Sequence, residues 1–263
     1  MFNDLQPVPT DPILGLMSEY KADTNPKKVD LSVGIYKNEA GDTPVMKAVK
    51  IAEKNRLENE KSKAYLGLAG NVEFNDLMAK LVFGDHEKLN AGHIKTAQTP
   101  GGTGSLRVAA EFIKRSNPTA SIWVTEPTWA NHFSIFEAAG LETKTFPYFD
   151  FSTMGLLFDD MVSALNTVPA GDVVLLHACC HNPSGMDLNL EQWQTVADIA
   201  KQRGFTFLID SAYQGFGKGL DEDAAGVRLL ASQKTSVCIV TVLARSLSWL
   251  KMPILQILPT ATH

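Results

Sequence analysis

Apolar positions along this chain follow two patterns that take turns. Short runs such as Ile122-Trp123-Val124-Thr125, Val173-Val174-Leu175-Leu176-His177 and Phe205-Thr206-Phe207-Leu208-Ile209-Asp210 are apolar at nearly every position, the mark of strands buried on both faces. Residues 143–146 and 237–240 read as further strands. Between them lie segments whose apolar residues recur three and four apart: 103–115, 132–139, 159–166, 190–203 and, largely, 219–233. The segment 190–203 ends at Gly204, a residue suited to closing a helix. Upstream, a helix is predicted over 45–60 and a short extended segment over Val29–Tyr36; Pro7, Pro9, Pro12 and Gly15 predict loop in the rest of the first forty residues. Buried strands alternating with helices predict an α/β fold, a mostly parallel sheet with helices on both faces. Such sheets collect ligands at the carboxyl ends of their strands, and Asn182 and Asp210 both sit just there.

Composition narrows the function classes. The chain has 263 residues, 44% hydrophobic and 20% charged, with a formal net charge of −5. That balance, without a basic stripe interleaved with aromatics, argues against nucleic acid or an anionic membrane surface as partner. Cys179, Cys180 and Cys238 make no disulfide framework and read as small residues in a reducing compartment. The start, Met1-Phe2-Asn3-Asp4, lacks a basic region followed by an apolar core. The longest apolar run, Met252–Leu258, contains Pro253 and is too short for a bilayer. A cytoplasmic protein is therefore expected. His132, His177 and His181 lack metal-ligand spacing on one helix face, so no metal site is expected.

Several residues could carry chemistry, each with a plainer alternative. Asp210 ends an apolar strand, where a carboxylate either caps the following turn or meets a buried cation such as a protonated pyridine nitrogen. Asn182, in Asn-Pro-Ser-Gly, fits a turn or a donor at a strand end. Gly101-Gly102-Thr103-Gly104 opens a helix, so the free N–H groups there suit an anion, although no Walker lysine follows. Trp129, after a strand, fits either core packing or stacking on a flat ring.

The order and spacing of these segments say more than each alone. Tyr65-Leu66-Gly67, Thr99-Pro100-Gly101-Gly102-Thr103-Gly104, Trp129-Ala130-Asn131-His132, Cys180-His181-Asn182-Pro183-Ser184-Gly185 and Asp210-Ser211-Ala212-Tyr213-Gln214-Gly215-Phe216 together resemble the class I aspartate and aromatic amino-acid aminotransferases. The resemblance runs from about Pro9 to Val240, and Phe2–Leu16 and Val33–Lys37 are similar to the family's N-terminal arm and substrate-facing strand. It implies fold type I, a pyridoxal 5′-phosphate cofactor, amino acid and 2-oxo acid substrates, and a homodimer. It further implies that Asp210 pairs with the pyridine nitrogen, Asn182 and Tyr213 donate to the ring's phenolic oxygen, and Trp129 stacks on the ring. Gly102 and Thr103 would hold the phosphate, Tyr65 would reach the phosphate of the partner subunit, and Gly34 would line the substrate carboxylate pocket. His132 and His177 would stand behind Asp210 and the ring. In domain terms, residues 1–40 would be the arm and part of the small domain, and 41–240 an incomplete large domain.

One element of the family pattern is missing. The Schiff-base lysine lies just after the strand matching Val237–Val240, where this chain has Ser246; Lys251, the only lysine after Lys234, is displaced by five residues. Residues 241–263 contain no Asp or Glu, where about three would be expected at the chain's average density. They read as an aberrant tail, compatible with a reading-frame shift near Thr241, with the C-terminal small domain largely absent. On this reading the chain is an aminotransferase by family that lacks activity, or a non-catalytic relative with weak cofactor binding; a lyase or decarboxylase of the same fold fits the motifs less well.

Overall fold

The computed structural model describes residues 12–30, 37–85, 91–233, 237–241 and 254–258. In chain order the described elements are α1 (Pro12–Ala22), α2 (Lys47–Asn59), α3 (Val72–Phe83), β1 (Lys95–Gln98), α4 (Gly101–Ser116), β2 (Ser121–Glu126), α5 (Asn131–Ala138), β3 (Glu142–Pro147), β4 (Phe149–Asp150), β5 (Gly155–Leu156), α6 (Phe158–Leu165), β6 (Val173–His177), α7 (Leu190–Arg203), β7 (Thr206–Ser211), α8 (Ala225–Ser232), β8 (Val237–Thr241) and β9 (Ile254–Leu258). They fall into two compact units, residues 1–53 and 54–263.

In the first unit, α1 occupies a stretch that its prolines and Gly15 predicted as loop. Pro12 stands at the first helical position, where its fixed φ and missing N–H cost nothing. Lys28 Nζ donates to the carbonyls of Tyr20 at 2.6 Å and Asp23 at 2.7 Å, satisfying acceptors at the helix end.

The second unit is built on a seven-stranded sheet in the order β1-β9-β8-β7-β6-β2-β3. Strands β3, β2, β6, β7 and β8 run parallel, and β9 pairs antiparallel with both β8 and β1. Residues 254–258 thus form a strand within the sheet, where the sequence reading expected a tail outside it. Successive residues of the central strands point to opposite faces. Val174, Leu176, Phe207 and Ile209 join one core with residues of α3, α6, α7 and α8, among them Phe83, Met161, Trp193 and Leu230. Val173, Leu175 and Leu208 join the other with Leu106, Ala110 and Ile113 of α4 and Ile135 and Phe136 of α5. Both faces are covered, which is why these strands are apolar throughout.

The helix ends are set by their own residues. Asn189 and Gln192 form a reciprocal capping box at the start of α7, and Gly204, at φ 79°, closes it. Helix α3, not foreseen from the sequence, begins at Asn71, whose side chain accepts from Phe74 N at 2.9 Å. The helix predicted over 219–233 is confined to α8. Before it the chain turns, because Asp223 accepts the backbone N–H groups of Gly215 (2.9 Å), Gly217 (2.9 Å) and Lys218 (2.8 Å). That carboxylate ties down the segment that follows β7; burial works to raise its pKa, and the backbone N–H bonds together outweigh it and hold the carboxyl below its usual value.

Candidate functional site

Asp210 is the penultimate residue of β7, in register with His177 of β6 and Val240 of β8. Its side chain is only 8% exposed, and Oδ2 lies 3.1 Å from Nε2 of the fully buried His132. The turn between β2 and α5 brings His132 there, and its second residue, Thr128, sits against the same ring: Thr128 Oγ1 is 2.7 Å from His132 Nδ1 and 3.4 Å from His177 Nε2. The backbone N–H of Asn182 donates to His177 Nδ1 at 3.4 Å.

One assignment of tautomers satisfies every contact. Asn182 N–H donates to His177, His177 to Thr128, Thr128 to His132, and His132 to the Asp210 carboxylate. Both histidines are then neutral. Burial pushes His177 well below its ordinary value, with His181 and His132 adding to the effect. Oδ1 of Asp210 has no hydrogen-bond partner among the described residues. That oxygen is placed to accept from a cation or a donor outside the chain.

The flanking groups are half-buried and come from separate elements. Trp129 lies edge-on to His132, ring centroids 5.4 Å apart. Asn182 follows β6, and the Asn182-Pro183 peptide is cis, as is Glu126-Pro127. Tyr213 lies three residues beyond Asp210 in the segment pinned by Asp223; its neighbour Gln214 donates to the carbonyls of Leu81 at 2.9 Å and Leu220 at 2.8 Å. At the start of α4, Gly101 adopts φ 74° and no side chain caps the helix, and its first turn carries no acidic residue. The free N–H groups and helix dipole there favour an anion. Thr103, exposed, lines an open groove of about 340 Å³ with Asn131 and Ser134 of α5.

Of the residues singled out by sequence, the structure gathers Asp210, His132, His177, Trp129 and Asn182 into one cluster. Thr103 is joined to α5 through the groove, and Gly102 and Tyr213 stand on adjoining segments. Tyr65 is fully exposed, at 105%, away from the cluster's hydrogen bonds. Gly34 and Ser246 lie outside the described residues. Sequence reading missed Thr128, which its spacing of four before His132 could have suggested. It also missed His181, whose ring stacks on Tyr148 at 4.2 Å and reaches Thr125 Oγ1 at 2.9 Å. Among the described residues no group of three or more His, Cys, Asp or Glu side chains is placed to hold a metal ion, and no helix is long and apolar enough to cross a membrane.

The buried His177 and His181 make folding pH-dependent. Burial, and secondarily His132, lowers His181 to about 4 from an ordinary 6.5. A depressed histidine pKa means that the unfolded chain binds the proton more tightly. Stability is therefore full above pH 6.5 and falls as pH drops towards 4, by about 1.4 kcal/mol per pH unit for each such histidine. Urea midpoints across that range should fall with acidification, and His181→Asn should flatten the slope. A slope identical in the variant would show that His181 is already charged in the fold.

Comparisons with known proteins address the family to which the chain belongs. Residues 26–249 match the family model described as aminotransferase class I and II. The chain is 47% identical over 242 residues to the aspartate aminotransferase of Escherichia coli (strain K12), covering 92% of this chain and 61% of that protein. It is 47% identical over 239 residues to the aromatic-amino-acid aminotransferase of Paracoccus denitrificans, covering 91% and 60%. Among solved structures, the aromatic-amino-acid aminotransferase from Burkholderia pseudomallei, covalently bound to pyridoxal phosphate, superposes with a TM-score of 0.94 at 41% identity, covering 98% of this chain and 65% of that one. The chain spans about three-fifths of the length of the curated relatives it matches.

Proposed function

The chain belongs to the class I and II aminotransferases, and from that premise we propose that its cluster around Asp210 is a pyridoxal 5′-phosphate site serving transamination of dicarboxylic and aromatic amino acids with 2-oxo acids. The observation that carries this reading is the buried Asp210 carboxylate, backed by His132 on one oxygen and free on the other at the carboxyl end of the sheet. A free carboxylate oxygen there fits a protonated ring nitrogen, and an uncapped helix start within the same unit fits a phosphate.

The cofactor, when bound, supplies an electron sink for the amino acid's α-carbon. The chain's residues do the holding. Asp210 keeps the proton on the pyridine nitrogen, and His132 and His177 feed it N–H donors through Thr128. Asn182 and Tyr213 donate to the phenolic oxygen, Trp129 covers one ring face, and Gly102 and Thr103 receive the phosphate. Gly34 serves the substrate carboxylate. Tyr65, with the exposed Leu66, Leu68 and Val72, faces a second copy, whose phosphate Tyr65 reaches. Residues 1–40 belong to the arm and small domain and 41–240 to the large domain of a cytoplasmic homodimer.

Ser246 stands where the family's lysine is expected, so this chain holds the cofactor without a covalent bond and does not turn over. Fluorescence titration tests the site itself. Pyridoxal phosphate should bind saturably and pyridoxal without its phosphate about tenfold or more weakly, given the helix start. Equal affinities would remove the helix start from the site, and no saturable binding of either would reject the reading.

A further inference from the structure

The turn after β6 contains a backbone conformation that needs an explanation. Cys180 adopts φ 49°, in the left-handed region that residues other than glycine rarely enter. Such a conformation persists where its surroundings over-determine it. Here the surroundings are the carboxylate of Asp187, which accepts Cys180 N–H on Oδ2 at 2.8 Å and His181 N–H on Oδ1 at 2.9 Å. The bend is fastened further along as well. Gly185 N donates to His181 O at 2.6 Å, Ser184 Oγ lies 2.7 Å from His181 Nδ1, and Tyr148 donates its hydroxyl to Met186 O at 2.8 Å. The residue delivered by this bend is Asn182, whose own N–H is held on His177.

Asp187 itself is exposed and belongs to neither core cluster. Its two bonds do nothing for hydrophobic burial; without it the Cys180 N–H would turn to water at small cost, and the part-buried His181 N–H at a somewhat larger one. What its loss frees is the direction of the chain at residues 180–182.

We infer that Asp187 is a positioning residue: by clamping the left-handed turn at Cys180 it aims Asn182 at the phenolic oxygen of the bound cofactor. The inference rests on the pyridoxal-phosphate reading above. A donor on that oxygen favours its ionised form, so a misplaced Asn182 raises the pH at which the oxygen ionises as well as weakening binding.

The test uses pyridoxamine 5′-phosphate, which needs no lysine, on the whole chain. Its dissociation constant, the pH titration of the bound ring's near-ultraviolet band and the urea midpoint are measured together. Asp187→Ala should weaken binding about tenfold and move the titration up by about one pH unit, while the urea midpoint changes little. Asp187→Asn, which keeps one acceptor, should fall between, and it carries the test if the alanine variant does not fold. Adding Cys180→Asn to Asp187→Ala should recover much of the loss, because asparagine enters the left-handed region readily. Wild-type affinity with an unshifted titration in both Asp187 variants would overturn the inference. So would a loss of affinity that only tracks loss of folded protein. Failure of the unmodified chain to bind at all would instead overturn the cofactor reading on which it rests.

Discussion

Asp210→Ala is expected to weaken pyridoxamine phosphate binding about a hundredfold or more, the largest effect of any single substitution in the site. Removing one partner of a buried, hydrogen-bonded charge pair costs about 2–5 kcal/mol, which is roughly 30-fold to several thousandfold in affinity. The carboxylate is buried and oriented by His132, so no water shell stands ready to replace it. Asp210→Asn should be nearly as damaging. Its amide oxygen can still accept from His132, but a neutral amide cannot keep the ring nitrogen protonated. Trp129→Phe should cost only a few-fold, since phenylalanine keeps most of the stacking surface. Absorbance titrations of the three variants decide the matter. Equal losses at Asp210 and Trp129 would mean that Asp210 is a strand-end cap and that the cofactor lies elsewhere.

The second large effect is an absence of turnover. The pure chain, given pyridoxal phosphate, 2-oxoglutarate and either aspartate or tyrosine, is expected to form product no faster than the cofactor alone. Ser246 offers no amine, and a positioned proton-transfer group contributes about two to four orders of magnitude. Steady product formation by pure protein, lost in Asp210→Ala, would contradict this and locate a working base among the other residues.

The sheet was legible in the sequence where burial is two-sided. Val173–His177 and the strand that carries Asp210 are apolar at nearly every position because each face meets helices, and α7 carries its own capping box and closing glycine. Strand β9 was not legible. Ile254-Leu255-Gln256-Ile257-Leu258 is paired through backbone hydrogen bonds to β8 and to the distant β1, a choice that no local pattern announces. Helices α1 and α3 were hidden for a related reason. Proline and glycine near α1 read as loop, and α3 declares itself only through the Asn71 cap and through burial of Met78, Val82 and Phe83 against the rest of the fold.

The site divides the same way. Asp210, Asn182, His132 and His177 could be read because strand ends and family spacing mark them. Thr128 is marked only by its spacing from His132, and Asp187 by nothing local. Their importance lies in turn geometry: a hydroxyl placed between two histidines, and a carboxylate folded back onto N–H groups seven and six residues before it.

Asp210 is proposed to hold a proton at the ring nitrogen of a bound cofactor, and one measurement addresses that atom. Pyridoxamine phosphate labelled with ¹⁵N in its ring, bound to the chain at mildly alkaline pH, should show the nitrogen resonance of a protonated pyridine. The Asp210→Asn variant, loaded to the same occupancy, should show the unprotonated resonance. A deprotonated nitrogen in the unmodified chain, or a resonance indifferent to the substitution, would contradict the account.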